Sequence, residues 1–383
     1  MPLALTRSFA DFFESEKAGA VVLLACTVVS MAIANSVIGP AYLQFWQTPV
    51  AGLTIEHWIN DALMAVFFLL IGLELERELY VGELASLRNA LLPIFAAIGG
   101  IAVPAGIHFY LNSGTPTQAG AGIPMATDIA FALGALALLG SRVPTSLKVF
   151  LAALAVMDDL GAIIVIAVFY GTNFSLAYLL GALAIFLVLM AANHYRVMWL
   201  LPYLLGGALM WFLMLKSGVH ATIAGVLLAF AVPFSDRNGK EDSPSHTLGH
   251  LLHKPVAFGI LPLFALANTG VVFDPQWQES LASPNSLGIL AGLVVGKPLG
   301  IFLLTYLAVK TGLCRLPADL GWRHVIGVGF LGGIGFTMSI FITYLAFENE
   351  PAFINASKMA ILLASLMAGV AGILWLFLSR RSK

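Results

Sequence analysis

Twelve apolar runs, separated by polar or Gly/Pro-rich breaks, constrain this chain more than any other feature. They centre on residues 18–36, 58–79, 91–109, 123–139, 146–170, 177–192, 197–214, 221–233, 256–272, 287–308, 324–345 and 356–378. About 20 apolar residues cross a bilayer core as an α-helix, and only helices or closed barrels satisfy their backbone there. The runs therefore predict an all-α polytopic membrane protein of twelve transmembrane helices, the eighth of them short. Composition agrees: 60% of the 383 residues are hydrophobic and 10% charged, against roughly 25% charged in soluble domains. That excludes a secreted domain, a coiled coil and a disordered chain. A net charge of −1 argues against a nucleic-acid partner.

Charge placement tests the count. Twelve alternating spans put both termini on one side, which then receives sixteen of the nineteen Lys and Arg residues. The other side holds only Lys216 and Lys358, and Lys297 falls inside a span. Cytoplasmic loops carry the Lys/Arg excess, so both termini are predicted to be cytoplasmic. Residues 1–383 read as a single transmembrane domain whose stretch 1–17 is cytoplasmic or interfacial, with 4–13 amphipathic. No basic segment leads straight into a cleavable apolar core, so the first span, starting near Ala18, is expected to be its own insertion signal. The longest internal polar stretch, 234–255, contains His246, His250 and His253 and reads as a cytoplasmic loop. Cys26 and Cys314 read as free thiols, and no cofactor is expected.

Ionisable groups inside spans cost about 2.5–3.5 kcal/mol each on insertion scales, so each is a functional candidate. Asp128, Asp158, Asp159 and Lys297 stand out, while Asp61 and Glu74 lie near the ends of the second span. Adjacent helical residues diverge by about 100°, so one of Asp158 and Asp159 can meet Lys297 while the other faces a water-filled cavity. A buried carboxyl can exchange a proton near neutral pH. As an anion it is also a hard oxygen ligand for small cations. One site that takes either a proton or a cation, but not both, is the minimum machinery for exchange.

Asp128 follows Pro124 and Thr127. The proline removes a backbone donor, and Thr127–Asp128 can cap a half-helix that begins in mid-membrane. An Asp there would offset the positive helix end. The eleventh span has a matching weakness: Gly329, Gly332, Gly333 and Gly335 make continuous helix costly. Interrupted fourth and eleventh spans suggest two three-helix repeats, 91–170 and 287–378, of opposite topology, an arrangement found in secondary transporters. Lys297 would then offset the negative helix ends. The enzymatic alternative is an intramembrane aspartyl protease, with Asp128 and Asp158 or Asp159 sharing a water. It leaves Lys297 without a task. A proton-coupled symporter and a channel lack sequence support.

Six motifs carry a resemblance: WINDALMAVFF (58–68), ATDIAFALG (126–134), MDDLGA (157–162), KSGVHAT (216–222), GKP (296–298) and GFTMSIF (335–341). From about Lys17 to the last span the chain resembles the NhaA-type Na⁺/H⁺ antiporters of bacterial inner membranes. The resemblance implies that Asp158 and Asp159 are the exchange site, where transported Na⁺ or Li⁺ competes with protons. It implies that Lys297 pairs with Asp158 or titrates in coupling, and that Thr127 and Asp128 lie at the broken-helix crossing. It further implies electrogenic exchange, activation at alkaline pH and a homodimer. Glu74, Arg77, Glu78, His250 and His253 match the family's pH-responsive cluster. His220 matches KSGVHAT, where helix-end packing is expected as much as sensing. Three departures stand against the pattern. Gly249 replaces an acidic residue before His250, and Glu76 stands where a basic residue is familiar. The loop between the first two spans is also short, 51–57, where the family has a longer segment with a β-hairpin at its dimer contact. A weaker dimer is expected.

Overall fold

The computed structural model describes residues 7–171, 174–234, 243–273, 275, 277–348 and 350–379. In chain order it begins with α1 (Arg7–Ala34), α2 (Gly39–Trp46), β1 (Pro49–Val50), β2 (Leu53–Thr54) and α3 (Ile55–Tyr80). Then come α4 (Leu87–Leu111), the 3-10 helix α5 (Pro116–Met125), α6 (Ile129–Leu138), α7 (Thr145–Phe169), α8 (Leu176–His194), α9 (Leu200–Ser217) and α10 (Ile223–Ala231). The chain ends with α11 (Pro244–Asn268), α12 (Trp277–Ala282), α13 (Pro284–Lys310), α14 (Trp322–Gly332), α15 (Phe336–Ala346) and α16 (Pro351–Leu378). One π-helical turn interrupts each of α3 (Ile59–Leu63), α11 (Val256–Ile260) and α13 (Gly292–Gly296).

Among the described residues nine helices are long and apolar enough to cross a membrane, or eleven if each bent pair counts as one span. The bent pairs are α5 with α6, at 45°, and α14 with α15, at 49°. They coincide with the interrupted fourth and eleventh spans. The expected eighth span is α10, whose nine residues reach only about 13 Å at the α-helical rise. Hydropathy alone cannot make so short a helix a full crossing.

Three expectations need correction, and the first span, which starts at Lys17 much as expected, is continuous with the helix before it. The fourth span was expected from residue 123, but its first half starts at Pro116. Its opening Pro-Thr-Gln-Ala-Gly-Ala-Gly is too polar and too rich in glycine to register as a span, while 3-10 winding at about 2 Å per residue lets ten residues cover some 20 Å. The stretch 234–255 is not all loop. Ser243 accepts from the His246 N–H (3.1 Å) and Pro244 takes the first helical position, so α11 starts there and carries His246, His250 and His253. The amphipathic stretch is the first part of that continuous helix, α1, with residues 4–6 outside the described chain. The fold is also not purely α: Pro49 pairs with Thr54 and Val50 with Leu53, antiparallel. Ala51 (φ 50°) and Gly52 (φ 89°) take the left-handed conformations that a two-residue hairpin turn demands. The short loop thus still closes a hairpin. Asp236, Arg237, Lys240, Glu241 and Asp242 lie outside the described residues, as do Arg380, Arg381 and Lys383. Cys26 and Cys314 are free thiols.

The chain sorts into two compact units: Met1–Ile38 with Glu83–Ala162 and Thr269–Lys383, and Gly39–Gly82 with Ile163–Asn268. In the second unit, Leu69 and Leu73 of α3 share a core with Leu189, Tyr203, Met210 and Leu228. The amides of Asn60 and Asn268 exchange two hydrogen bonds (2.8 and 3.1 Å), tying α3 to the end of α11. Such interhelical pairs contribute about 0.6–2 kcal/mol in a membrane setting.

The first unit depends on a close approach of α4 and α13. A Cβ on Gly300 would stand 2.0 Å from the Gly99 carbonyl oxygen, and one on Gly99 equally close to that of Gly300. Only glycine permits this backbone contact. Gly300→Val should therefore push the helices apart and cost at least about 2 kcal/mol, read as a lower melting temperature in detergent. Gly106→Ala, on α4 where a Cβ would meet open space, should leave the melt unchanged or slightly raised.

Candidate functional site

Two breaks cross in the first unit where the two bent helices part: Ala126–Thr127–Asp128, which runs extended, and Gly333–Ile334–Gly335, whose two glycines keep right-handed helical angles. Mid-membrane breaks leave helix ends with unpaired backbone groups and partial charges of opposite sign. The crossing satisfies several of them mutually. The Asp128 N–H donates to the Ile334 carbonyl (2.7 Å), and the Thr127 hydroxyl lies 2.8 Å from the Gly332 carbonyl at the end of α14. Ser339, on α15, donates its hydroxyl to the Ile123 carbonyl of α5 (2.7 Å).

Asp128 serves two positive ends at once. As N-cap of α6, with extended φ −80° and ψ 102°, it accepts from the Phe131 N–H (3.1 Å) through Oδ1. Its Oδ2 accepts from the Thr337 N–H (3.1 Å) in the first turn of α15, and from the Thr337 hydroxyl. One carboxylate, 3% exposed, thereby faces the N-termini of both C-terminal half-helices. Two such ends carry roughly half a positive charge each, which matches one anion.

Lys297 deals with a negative end. It is fully buried on α13, and its ammonium donates to the Met125 carbonyl at the C-terminus of α5 and to Asp158 Oδ2. The same Oδ2 receives the Thr127 hydroxyl (2.6 Å). The pairing left open by the sequence is thus Lys297 with Asp158. Asp158 Oδ1, buried as well, accepts no hydrogen bond from the described residues. Asp159, next along α7 and about 100° round it, is 2% exposed.

The other candidates lie in the second unit. Glu74 and Glu78 are half-buried and Arg77 exposed near the end of α3. His250 is exposed and His253 half-buried on α11. His220 Nε2 donates to the Tyr170 carbonyl (2.7 Å), a contact with the chain just beyond α7, in line with helix-end packing. Asp61 pairs with His57 (2.9 Å), one turn apart. Glu76, noted only as a departure, is 3% exposed and accepts from the Ser245 hydroxyl (3.1 Å) on α11. Thr337 went unassigned although it lies in a quoted motif; its place after the four glycines mirrors that of Thr127 after Pro124. The backbone carbonyls of Met125, Gly332 and Ile334 carry no side-chain signal, so no pattern search would find them. Among the described residues no group of three His, Cys, Asp or Glu side chains could hold a metal ion.

Over residues 10–376 the sequence matches the family described as Na⁺/H⁺ antiporter 1. A protein of Dechloromonas aromatica named Na(+)/H(+) antiporter NhaA is 71% identical over 373 residues, covering 97% of this chain and 96% of its own. Its namesake in Cytophaga hutchinsonii is 59% identical (98% and 96%), and that of Vibrio campbellii 49% (97% and 96%).

The double capping by Asp128 generates its own test. Asp128→Ala removes acceptors from both half-helices and should destabilise the protein by about 2 kcal/mol or more. Asp128→Asn keeps one acceptor oxygen but loses the charge, and should fall between wild type and alanine. Thermal melts of the three purified proteins give the order; equal melting temperatures would sink the capping role.

Proposed function

This chain belongs to the Na⁺/H⁺ antiporter 1 family, and from that premise we propose that it exchanges Na⁺ or Li⁺ for protons at Asp158 and Asp159. The observation that carries the reading is the state of Asp158. One oxygen is held by Lys297 and Thr127, while the other, equally buried, accepts no hydrogen bond from the described residues. A dehydrated carboxylate oxygen is costly to leave bare. A proton satisfies it, and so does a small hard cation, but one occupant excludes the other.

Asp159 is the principal cation ligand and proton carrier, with Asp158 assisting. Hydroxyl and carbonyl oxygens at the crossing and water complete the coordination. When a cation enters, the Lys297 ammonium is repelled from Asp158 and rests on the Met125 carbonyl. When the cation leaves, the ammonium returns or a proton takes its place. Binding and release on opposite sides require alternating access of the crossing. More than one proton per cation makes the exchange electrogenic, and the cluster of Glu74, Arg77, Glu78, His250 and His253 adjusts it to alkaline pH, with His220 a further candidate. The chain crosses the bacterial inner membrane twelve times as two inverted three-helix repeats, both termini cytoplasmic. In this reading α10 completes its crossing together with irregular chain, as broken helices do where they line a cavity. The hairpin β1–β2 supports a small homodimer contact.

The protease alternative suffers from the commitment of Asp128. Both its oxygens accept backbone N–H groups at helix ends, which leaves it poorly placed to share a catalytic water with an aspartate on α7.

Everted membrane vesicles energised by respiration, with a pH-sensitive dye, test the exchange. Na⁺ or Li⁺ should collapse the pH gradient with wild-type protein, more strongly at pH 8.5 than at 6.5, and not with Asp159→Asn. Lys297→Met should abolish or strongly weaken exchange, whereas a protease would tolerate it. No response of the wild type to any alkali cation between pH 6.5 and 9 would rule out the assignment.

A further inference from the structure

Twelve residues before Lys297, roughly 18 Å back along α13, a buried polar cluster joins four helices of the first unit. His108, on the last turn of α4, is 0% exposed. Its Nε2 lies 3.1 Å from Asn285 Oδ1 on the first turn of α13, and Asn285 in turn donates to Ser357 Oγ on α16 (2.8 Å). Because that amide oxygen can only accept, His108 carries its proton on Nε2. Its Nδ1, also buried, makes no hydrogen bond with the described residues. Asn112, the C-cap of α4, donates to the Pro284 carbonyl (3.0 Å) and accepts from the Thr117 hydroxyl on α5 (2.7 Å).

The ring is also a spacer. A Cβ on Gly288 of α13 would stand 2.7 Å from its Cδ2, and one on Gly120 of α5 would stand 3.0 Å from its Cε1. His108 thus packs against the bare backbones of two helices. Those two helices deliver Lys297 and the Met125 carbonyl to the crossing, where the ammonium bonds the carbonyl.

We propose that His108 is a positioning residue for exchange: its ring sets the spacing of α5 from α13, and its Nε2–H fixes Asn285, so that Met125 and Lys297 meet in register at Asp158. This inference rests on the exchange reading above. A site that selects a small cation by the spacing of its oxygens loses affinity when the helices bearing them shift by fractions of an ångström.

The test uses full-length protein reconstituted in proteoliposomes, with apparent KM and Vmax measured for Na⁺ and for Li⁺. His108→Leu should raise the apparent KM for Na⁺ about tenfold and change the Li⁺-to-Na⁺ KM ratio, with Vmax per folded molecule within about threefold of wild type. His108→Gln, whose amide N–H replaces the imidazole donor, should recover most of the wild-type KM. A purely structural role lowers only the amount of folded protein and leaves Vmax per folded molecule and both KM values alone; that result overturns the proposal. So does a glutamine variant as impaired in KM as the leucine one. Should His108→Leu not accumulate, Ser357→Ala decides: an apparent KM raised about threefold supports the role, and an unchanged one overturns it. A wild type that exchanges neither ion sinks the exchange reading itself, a result distinct from unchanged KM values in an active protein.

Discussion

Holding a lysine ammonium wholly out of water is the most demanding interaction in this molecule. An isolated charge moved into an apolar interior costs several kcal/mol even after relaxation, so Lys297 is tenable only with full compensation. It receives that compensation from a carboxylate and a helix-end carbonyl. The carbonyl is available because α5 ends in mid-unit, and α5 ends there because the chain at 126–128 turns extended. Broken helix and buried charge are therefore conditions for each other. Neither would survive alone in a lipid-facing chain.

The crossing divides its electrostatic work between two residues. Asp128 answers the positive ends of α6 and α15, and Lys297 the negative end of α5, while Thr127 supplies a hydroxyl between Asp158 and the end of α14. Such contacts need backbones in touch, which explains the glycines around them. A Cβ on Gly333 would meet the Leu293 carbonyl at 2.3 Å, and one on Gly329 would meet the Pro298 Cα at 2.7 Å. The glycine-rich eleventh span is thus both a break and a packing surface, two explanations that the composition of the segment alone leaves in competition.

Much of this was legible because charge and proline are conspicuous in apolar sequence. Asp128, Asp158, Asp159 and Lys297 announce themselves by cost, and Pro124 with Thr127–Asp128 marks the first break to within a residue or two. What hydropathy cannot register is helix that is polar. The start of α5 at Pro116 and of α11 at Pro244 escapes it for that reason, whereas the shortness of α10 is legible in the short eighth run. Partners that are backbone carbonyls, such as Met125 and Gly332, escape any reading by residue type. His108 escaped for another reason: it is a single titratable side chain near a helix end, and only its contacts with Asn285, Gly120 and Gly288 distinguish it from a surface histidine.

The π-helical turn Gly292–Gly296 ends immediately before Lys297. Such a turn amounts to one extra residue accommodated within an α-helix, and one residue is about 100° of rotation about the axis. The face of α13 that carries Asn285 is therefore out of phase with the face that carries Lys297 by that amount, relative to a helix wound uniformly. The azimuth of the Lys297 ammonium, fully buried, is consequently set by a local change of pitch. A helical-wheel drawing of 284–310 would aim that side chain at the wrong neighbour. The same phase shift lets both halves of α13 lie against α4 while the first reaches α16 through Asn285 and the second reaches α7 through Lys297.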